Sequence, residues 1–491
     1  MGWPFDDKDA LHKELGPIFT IVTPAGLEVT VADPHVTNAV FAKRKEFIKP
    51  AVMYDQLNVF GRNLNTVEGR DWERQRRLTA PNFNERTSAT VWNEAKRQAN
   101  DMLGAWLEHG SRGTRDTVAD TATLALHVLT RVGFGLTYSF HEGVRKVPPG
   151  HQMTYKEALS TCLGNIITFA IFPRGLLSKP LMPRALRYVG LAAREFQTYM
   201  EEMLSHERAV SANHPAGSNN LVGALVRASD NQEQSQGRPS LTGPQSLTDD
   251  EIFGNIFAFN LAGHETTANT IASSLVLLAA NPSYQSWLAE EIDRVWDRDS
   301  ANYEDIFPGL KRCLAVMYET LRLYGSIVFI PKSTGVHAQS VTLGDRSYLL
   351  PPRTAVNINV QALHTDQKIW GEDALQWRPS RWIDNFKPPL SVVGAESDKG
   401  VEQLINPGDG TYIPWADGPR VCIGRKFSQV EFVGVIASLF SKARVRPLLE
   451  GKDSGDDGHR ALMKMVDESA IFAITLQMKN PRGIALMWEH R

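Results

Sequence analysis

The 491-residue sequence has few cysteines and no pattern that would tie them together. Its three cysteines, Cys162, Cys313 and Cys422, are too few for a disulfide framework, and they form no C-x-x-C metal pair. An N-x-[ST] sequon with a permitted middle residue is also absent. These absences predict a protein of a reducing compartment that does not enter the secretory lumen.

Long apolar runs and an excess of one charge are missing too. No stretch approaches the roughly 20 apolar residues of a membrane-spanning helix, and the opening MGWPFDDKDA is too polar for a signal peptide. The 53 basic and 55 acidic residues nearly balance, which argues against bulk attraction to nucleic acid or an anionic membrane. The composition is that of a soluble globular protein.

Helical patterns dominate what is present. Apolar residues recur at three- and four-residue spacing over much of 34–228. Short alternating stretches predict strands at 17–23, 27–33 and within 340–360. Polar or irregular stretches predict surface loops at 229–246, 394–410 and 450–459. Without a repeat or a linker-like tract, the sequence predicts one mostly α domain with small β-sheets (α+β) over 1–491.

A long helix is predicted between Thr248 and Pro282. Thr248 and Glu251 have capping-box spacing, and Asn281-Pro282 is a helix stop. Most of the run is apolar all round, which predicts a buried helix.

The middle of this helix, AGHETT, is unusual for a buried segment. Gly263 costs about 1 kcal/mol relative to alanine, and Glu265 is a carboxylate that needs a partner. Taken singly, Gly263 indicates close helix packing and Glu265 a core ion pair. Taken together with Thr266, they indicate a groove in which Thr266 holds a water and Glu265 passes protons to it.

Two further pairs lie one helical turn apart. Glu319 and Arg322 stand among apolar residues, which favours a buried pair over a solvated one, with Arg381 as a candidate third member. Trp72 and Arg76 could both donate to an anionic ligand. The alternative for them is a basic helix face on the surface.

The stretch WADGPRVCIG places Cys422 just ahead of a predicted amphipathic helix, RKFSQVEFVGVIASLF. A helix N-terminus lowers a thiol pKa and favours the thiolate. Gly418 and Pro419 predict a turn, Gly424 lets the backbone approach a bulky group, and Arg420 can pair with an anion. A thiolate facing a planar dianion is what an iron porphyrin requires. The alternative is a buried structural cysteine.

These motifs resemble those of the cytochrome P450 family. WADGPRVCIG is similar to the haem-binding loop F-x-x-G-x-R-x-C-x-G at every fixed position except the first. AGHETT resembles the oxygen-binding groove, ETLR the E-x-x-R pair, WRPSRW the arginine that joins it, and WERQR the W-x-x-x-R helix. The five motifs occur in the family's order and the resemblance covers roughly 15–491.

The resemblance implies the P450 fold, with a long central helix over a buried haem b (iron protoporphyrin IX). It implies that the Cys422 thiolate is the axial ligand and that Thr266 and Glu265 serve oxygen activation and proton delivery. Glu319, Arg322 and Arg381 would hold the core rather than do chemistry. Further haem contacts implied by the resemblance are Trp72, Arg76, Ala262, Gly263, Lys332, Trp415, Arg420 and Gly424.

Three departures from the family pattern qualify these expectations. Trp415 replaces the phenylalanine of the loop, so its indole N–H can change the hydrogen bonding near the sulfur. Lys332 stands where many members have an arginine on a propionate, which predicts a weaker or indirect contact. The membrane anchor of similar eukaryotic members is either not encoded or missing from this version. A peripheral membrane contact is expected through 171–183, for which a substrate-channel loop is the alternative.

The function implied is a monooxygenase that inserts one oxygen atom from O2 into an apolar or amphipathic small molecule. The sequence resembles fungal P450s of secondary metabolism. With no flavin or nicotinamide fingerprint, electrons would come from a separate NADPH–cytochrome P450 reductase, with cytochrome b5 as an open addition, at the cytoplasmic side of the endoplasmic reticulum. A P450-like isomerase, dehydratase or peroxygenase, and a non-enzymatic haem-thiolate sensor, stay open. The implied pocket segments are 50–70, Phe172 and its neighbours, 257–262, 327–330 and 476–478.

Overall fold

The structure is a computed structural model. It describes residues 2–140, 147–213, 220–230, 246–296, 302–384, 402–448, 462–466, 468, 470–472 and 475–491. Of the predicted surface loops, 450–459, most of 229–246 and residues 394–401 of 394–410 lie outside the described residues.

Helices make up most of the described chain, in agreement with the predicted mostly α fold. They are α1 Trp3–Asp7, α2 Ala10–Leu15, α3 Pro34–Ala42, α4 Ala51–Tyr54, α5 Gly69–Thr79, α6 Glu85–Glu108, α7 Thr117–Phe134, α8 Tyr155–Gly164, α9 Ile166–Ile171, α10 Arg174–Leu177, α11 Arg184–Asn213, α12 Leu221–Asp230, α13 Asp249–Ala280, α14 Pro282–Val295, α15 Tyr303–Ile306, α16 Lys311–Tyr324, α17 Val360–Thr365, α18 Gln367–Trp370 and α19 Arg425–Phe440.

Short strands form small sheets. They are β1 Ile18–Thr23, β2 Gly26–Val31, β3 Phe329–Ser333, β4 Gln339–Leu343, β5 Arg346–Leu350, β6 Ala355–Asn359, β7 Ile383–Asp384, β8 Gln403–Leu404, β9 Ala443–Pro447, β10 Ala470–Phe472, β11 Leu476–Met478 and β12 Leu486–His490. The four-stranded sheet has the order β1-β2-β6-β3, and the others are the pairs β4-β5, β7-β8, β9-β12 and β10-β11. The strands predicted at 17–23, 27–33 and within 340–360 are thus confirmed.

Two compact units can be distinguished within the chain. The first unit comprises Met1–Ile48, Ala95–Ala122 and Thr266–Arg491, and the second comprises Lys49–Glu94 and Thr123–Glu265. All the named strands belong to the first unit. The prediction that residues 1–491 act as one catalytic domain stays a prediction.

The first turn of α13 has the predicted capping box. The Thr248 N–H donates to Glu251 Oε2 at 3.1 Å, and the Glu251 N–H donates to Thr248 Oγ1 at 3.2 Å. In the second unit the same carboxylate binds two side chains of α5, with Arg74 Nη1 at 2.9 Å and Gln75 Nε2 at 3.1 Å. Asn255, one turn further along α13, donates to Gln75 Oε1 at 2.9 Å. The start of α13 and the helix α5 are therefore joined by a polar cluster.

The helix α19 differs from its prediction. Its sequence predicts an amphipathic helix, but every residue from Gln429 to Phe440 is buried. The reason is that α14, α16 and β9 of the first unit all pack against it. The polar side chains that suggested a solvent face, among them Gln429 and Glu431, lie inside the protein.

A buried carboxylate organises the first unit. Glu319 on α16 is fully buried and accepts hydrogen bonds from five donors. Arg322 Nε and Nη2 donate at 2.8 Å each, Arg381 Nε at 2.9 Å, the Arg378 N–H at 2.8 Å and the Trp382 indole at 2.9 Å. Such saturation is what a buried charge needs if desolvation is to be offset.

The partner guanidinium is equally well satisfied. Arg322 Nη1 donates to the carbonyls of His364, at 2.7 Å, and Ala374, and Nη2 reaches that of Gln376 at 3.2 Å. Burial, reinforced by the nearby Arg322 charge, lowers the pKa of His364 to about 3. Its Nε2 is free of a proton and accepts the Ile413 N–H at 3.0 Å. The cluster therefore extends from α16 to the segment that leads into the cysteine loop.

Glu319→Ala should prevent stable folding of the first unit. Removing one side of a buried pair leaves Arg322 and Arg381 without their counter-charge, which costs about 3–5 kcal/mol. The free energy of unfolding from urea titration measures the loss. Glu290→Ala is the matched control, because Glu290 binds Arg312 at 3.0 Å but its side chain is 70% exposed; it should cost no more than about 1 kcal/mol. Equal losses in the two variants would contradict the prediction.

Candidate functional site

The cysteine loop is closed by backbone hydrogen bonds. The Cys422 N–H donates to the Trp415 carbonyl at 2.9 Å, and the Val421 N–H donates to the Gly418 carbonyl at 3.0 Å. The helix α19 begins at Arg425, with Gly424 as its N-cap. Cys422 therefore lies directly ahead of a helix N-terminus, where a negative charge on sulfur is favoured.

Two residues of the loop adopt a left-handed backbone. Gly418 has φ +64°, and a Cβ there would lie 2.9 Å from the Phe41 carbonyl oxygen, so only glycine fits. Ala416 has φ +59°, a conformation that costs an L-residue roughly 1–2 kcal/mol. Gly424 has an ordinary φ of −82°, and a Cβ there would stand 3.7 Å from Cys422 Sγ, an ordinary contact. Within the protein itself, the backbone does not require a glycine at 424.

The three thiols lie in different environments. Cys162 and Cys313 are buried, whereas Cys422 is exposed. Burial raises the pKa of Cys162 to about 12, and burial beside the Glu291 carboxylate raises the pKa of Cys313 well above its ordinary value. These two thiols are protonated and shielded, so Cys422 is the one whose sulfur can meet a ligand.

Trp415 is enclosed by aromatic and cationic side chains. Its ring makes edge contacts with Tyr318, at a centroid distance of 5.9 Å, and with Tyr412 at 6.4 Å. The guanidinium carbon of Arg425 lies 5.3 Å from its centroid. Its indole N–H donates to Ser428 Oγ at 3.1 Å. The substitution of tryptophan for phenylalanine thus adds a hydrogen bond to α19.

The middle of α13 is more accessible than its two ends. Most residues of 252–260 and 267–280 are buried, but Ala262 is exposed, and Gly263, Glu265 and Thr266 are half-buried. In the second unit, a Cβ at 263 would lie 3.4 Å from both methyl groups of Leu129, an ordinary van der Waals distance, so this packing does not require a glycine. The two alternatives for Gly263, close packing and a groove, stay predictions.

The backbone at Thr266 is held by hydroxyl groups of the first unit. Its carbonyl accepts from Thr270 Oγ1 at 2.8 Å and from Ser326 Oγ at 3.4 Å. Ser326 in turn accepts the Leu476 N–H at 2.9 Å through its carbonyl. The C-terminal side of the AGHETT segment is therefore joined to the turn that follows α16 and to β11.

The predicted anion-binding side chains divide between the two units. In the first unit, Lys332 is 4% exposed, with Nζ 5.2 Å from the Phe41 ring, and Arg420 is half-buried. The helix α3, which carries Phe41, packs against residues Gly418–Arg420 of the cysteine loop. In the second unit, Trp72 is buried and Arg76 is half-buried on α5.

Several segments predicted to line a substrate pocket pack into cores instead. In the first unit, Val328 and Leu476 are buried in a cluster with Phe5, and in the second, Phe257 is buried against Phe60. A cavity of about 20 Å³ beside Leu476 has room for about one water, not a substrate. These positions shape the interior, and their contact with a substrate stays a prediction.

The stretch 171–183 exposes apolar side chains in the second unit. Ile171 is 65% exposed and Leu181 is 97% exposed, with Ile167 of α9 nearby in the chain at 69%. The predicted membrane contact through this stretch stays a prediction. Across the residues that the structure describes, no helix is both long enough and apolar enough to span a bilayer.

Sequence reasoning missed Ser428 and the aromatic partners of Trp415. Ser428 lies in the first turn of α19, 13 residues after Trp415, and no periodic pattern links the two positions. The only available signal was the departure at Trp415, which predicted altered hydrogen bonding without a partner.

Comparison with known proteins gives the class. Residues 4–465 match the sequence profile described as Cytochrome P450. The chain is 30% identical to cytochrome P450 monooxygenase ORF6 of Penicillium roqueforti, over 97% of this chain and 83% of the relative. It is 31% identical to the phomenoic acid biosynthesis cluster cytochrome P450 monooxygenase of Leptosphaeria maculans, over 89% and 77%. The crystal structure of the cytochrome P450DA heme domain matches with a TM-score of 0.74 and 19% identity, over 100% and 94%.

The fold and the match over nearly the whole chain define a P450 monooxygenase, an oxidoreductase. The chain belongs to the cytochrome P450 family. Membership implies a haem with a cysteine thiolate ligand, a small-molecule substrate and, in general, a redox partner.

The residues of the first unit fit a haem. An exposed thiol precedes a helix N-terminus, which suits a thiolate ligand, and Arg420 and Lys332 carry charges that suit porphyrin carboxylates. The two other thiols are buried and protonated, so they are unsuited to ligation.

Thiol labelling should distinguish the three cysteines. In native protein without haem, a maleimide should modify Cys422 in a fast phase and spare Cys162 and Cys313. The rise of the Cys162 pKa from 9.0 to about 12 alone lowers its thiolate fraction about 10³-fold, and burial slows both buried thiols further. Mass spectrometry after timed quenching locates the label. Cys422→Ser should abolish the fast phase; fast labelling of either buried cysteine would refute the assignment.

Proposed function

We propose that this protein is a haem-thiolate monooxygenase in which the Cys422 thiolate would hold the haem iron. The observation that carries this proposal is the contrast between the accessible Cys422 sulfur ahead of α19 and the two buried, protonated thiols. The fungal relatives, one of them named for a biosynthesis cluster, favour a role in secondary metabolism.

Each predicted residue has a role that its chemistry supports. Bound haem supplies the iron at which O2 is activated and one oxygen atom is transferred to the substrate. Cys422 would hold the iron, and Trp415 would lie beside it in the same loop, where its indole is bound to Ser428. The propionates would be bound by Arg420, Lys332, Trp72 and Arg76, with Lys332 acting as a point charge rather than a fork.

Ala262, Gly263 and Gly424 would contact the macrocycle with small side chains or none. Ala262 supports this role best, because it is exposed although most residues of 252–260 and 267–280 in the same helix are buried.

Thr266 and Glu265 would deliver protons. Both side chains are half-buried in the middle of α13, so water can reach them while bulk solvent is restricted. The Thr266 hydroxyl would position a water, and the Glu265 carboxyl would exchange protons with it. The Thr270 and Ser326 hydroxyls, by binding the Thr266 carbonyl, hold the backbone at this position.

The substrate class proposed is an apolar or amphipathic small molecule. A separate NADPH–cytochrome P450 reductase would supply the electrons, because the sequence carries no flavin or nicotinamide fingerprint of its own. Cytochrome b5 is an additional candidate donor, and the cytoplasmic face of the endoplasmic reticulum is the proposed place of action.

Cys422→Ala should abolish the thiolate-type Soret band of the reduced CO complex, because no other accessible thiol can replace the ligand. The absorption spectrum of the reconstituted variant, at matched haem content, is the measurement. Cys162→Ala is the control and should keep the wild-type band, since that sulfur is buried. An unchanged band in Cys422→Ala would remove Cys422 from the ligand position.

Thr266→Ala should bind haem yet waste electrons. Without the hydroxyl, the proton-donating water is poorly positioned, and reducing equivalents are released as hydrogen peroxide. Product formed per NADPH should fall by about tenfold or more, since positioned proton transfer is worth roughly 10²–10⁴. The assay measures NADPH, peroxide and product with reductase and a turned-over substrate. Thr266→Ser keeps the hydroxyl and should retain most of the coupling; wild-type coupling in Thr266→Ala would exclude the residue from proton delivery.

A further inference from the structure

A short hydrogen-bonded relay connects the indole of Trp415 to the first turn of α19. The indole N–H, the single donor of that side chain, donates to Ser428 Oγ at 3.1 Å. The Ser428 hydroxyl donates its own proton to the Arg425 carbonyl at 2.9 Å. Since a serine hydroxyl has one proton and two lone pairs, both bonds can be made at once.

The indole ring is also held on its faces and edges. Arg425 lies over the ring at 5.3 Å, and Tyr318 meets it at an interplanar angle of 75°. Tyr318 is itself fixed, because its hydroxyl accepts from Gln429 Nε2 at 3.0 Å and its carbonyl accepts from the Tyr412 hydroxyl at 3.0 Å. The ring therefore has one defined orientation in the structure.

The orientation of the indole bears on the sulfur because a backbone hydrogen bond joins Trp415 to Cys422 across the loop. The Cys422 N–H donates to the Trp415 carbonyl at 2.9 Å, so the indole belongs to the residue bonded to the cysteine backbone. An N–H donor on a metal-bound thiolate withdraws electron density from the metal and shifts its potential. A tryptophan beside such a ligand could supply that donor unless another acceptor binds it first.

We propose that Ser428 is a positioning residue that captures the Trp415 indole N–H and keeps this donor away from the Cys422 sulfur. The inference rests on the proposed role of Cys422 as the haem ligand. It makes the Trp415–Ser428 pair a determinant of how strongly the thiolate donates to the iron. The two residues then act together, because the indole supplies the N–H donor and the Ser428 hydroxyl keeps that donor away from the Cys422 sulfur.

The first arm of the test uses the protein without haem. Trp415→Phe, Ser428→Ala and the double variant form a cycle, and their urea midpoints give the coupling between the two side chains. The single variants should each lose stability, and the double variant should lose little more than either. Ser438→Ala is the matched control, since Ser438 is on the same helix and donates to the Gly434 carbonyl at 2.6 Å without an indole partner; it should show no coupling to Trp415.

The second arm uses the haem-loaded protein and two measurements other than turnover. Ser428→Ala should raise the reduction potential, because the released indole N–H can then donate to the thiolate. It should also speed haem transfer to apomyoglobin about two- to tenfold, the factor expected for one net hydrogen bond. Ser428→Thr keeps the hydroxyl, so its reduction potential and its rate of haem transfer should equal those of the wild type. In the Trp415→Phe background, Ser428→Ala should change neither.

The outcomes separate this inference from the proposed function. A wild-type protein without a thiolate-type CO spectrum would refute the function on which the inference rests. A thiolate-type wild type whose potential is unchanged in Ser428→Ala would overturn the inference alone. So would an equal shift in the Trp415→Phe background, because Ser428 would then act without the indole. The proposal would be established if Ser428→Ala shifted the reduction potential only when Trp415 is present, and if Ser428→Thr kept the wild-type potential.

Discussion

The ion pair between Glu319 and Arg322 is the interaction on which the rest of the first unit depends. The two side chains are fully buried, and such a pair is tolerated only when the remaining donors and acceptors are also satisfied. Glu319 reaches this state through five donors, and three of them come from the segment 378–382. Because Arg322 binds the carbonyls of His364 and Ala374 as well, one salt bridge fixes the path of the chain between α16 and the segments that follow it.

The same cluster is continuous with the cysteine loop. Trp382, which donates to Glu319, packs against Tyr412 at a centroid distance of 4.5 Å. Tyr412 donates to the Tyr318 carbonyl and meets the Trp415 ring edge-on. Aromatic contacts thus lead from the buried Glu319 carboxylate to Trp415, whose carbonyl accepts the Cys422 N–H. This route joins the Glu319–Arg322 pair to the cysteine loop through side-chain contacts.

Local signals in the sequence predicted much of this arrangement. The capping box of Thr248 and Glu251, the alternation of 17–23 and the stop at Asn281-Pro282 depend on neighbours in the chain, and the structure confirms each. The predicted membership of the cytochrome P450 family was confirmed by the match over 4–465.

What the sequence did not reveal depends on distant packing. The solvent face predicted for α19 is buried, because three other elements cover polar positions that the pattern left outside. Distant contacts also explain Trp415. The sequence showed that tryptophan replaces phenylalanine there, but it did not show that Ser428 accepts the indole N–H. A hydrogen bond across 13 residues leaves no periodicity to detect. The low pKa of His364 is likewise a result of tertiary burial.

The polar cluster of Arg74, Gln75 and Glu251 sets the rotation of α5 about its own axis. Two successive residues of α5 are bound to one carboxylate at the start of α13, and Gln75 is also bound by Asn255. A helix held at adjacent positions cannot turn, so the directions of Trp72 and Arg76 are dictated by residues that need never meet a ligand. Within the second unit, an exchange of surface loops that spared this cluster would preserve the angular setting of α5. An exchange that removed Glu251 would free α5 to rotate, even with every residue of the W-x-x-x-R motif still in place.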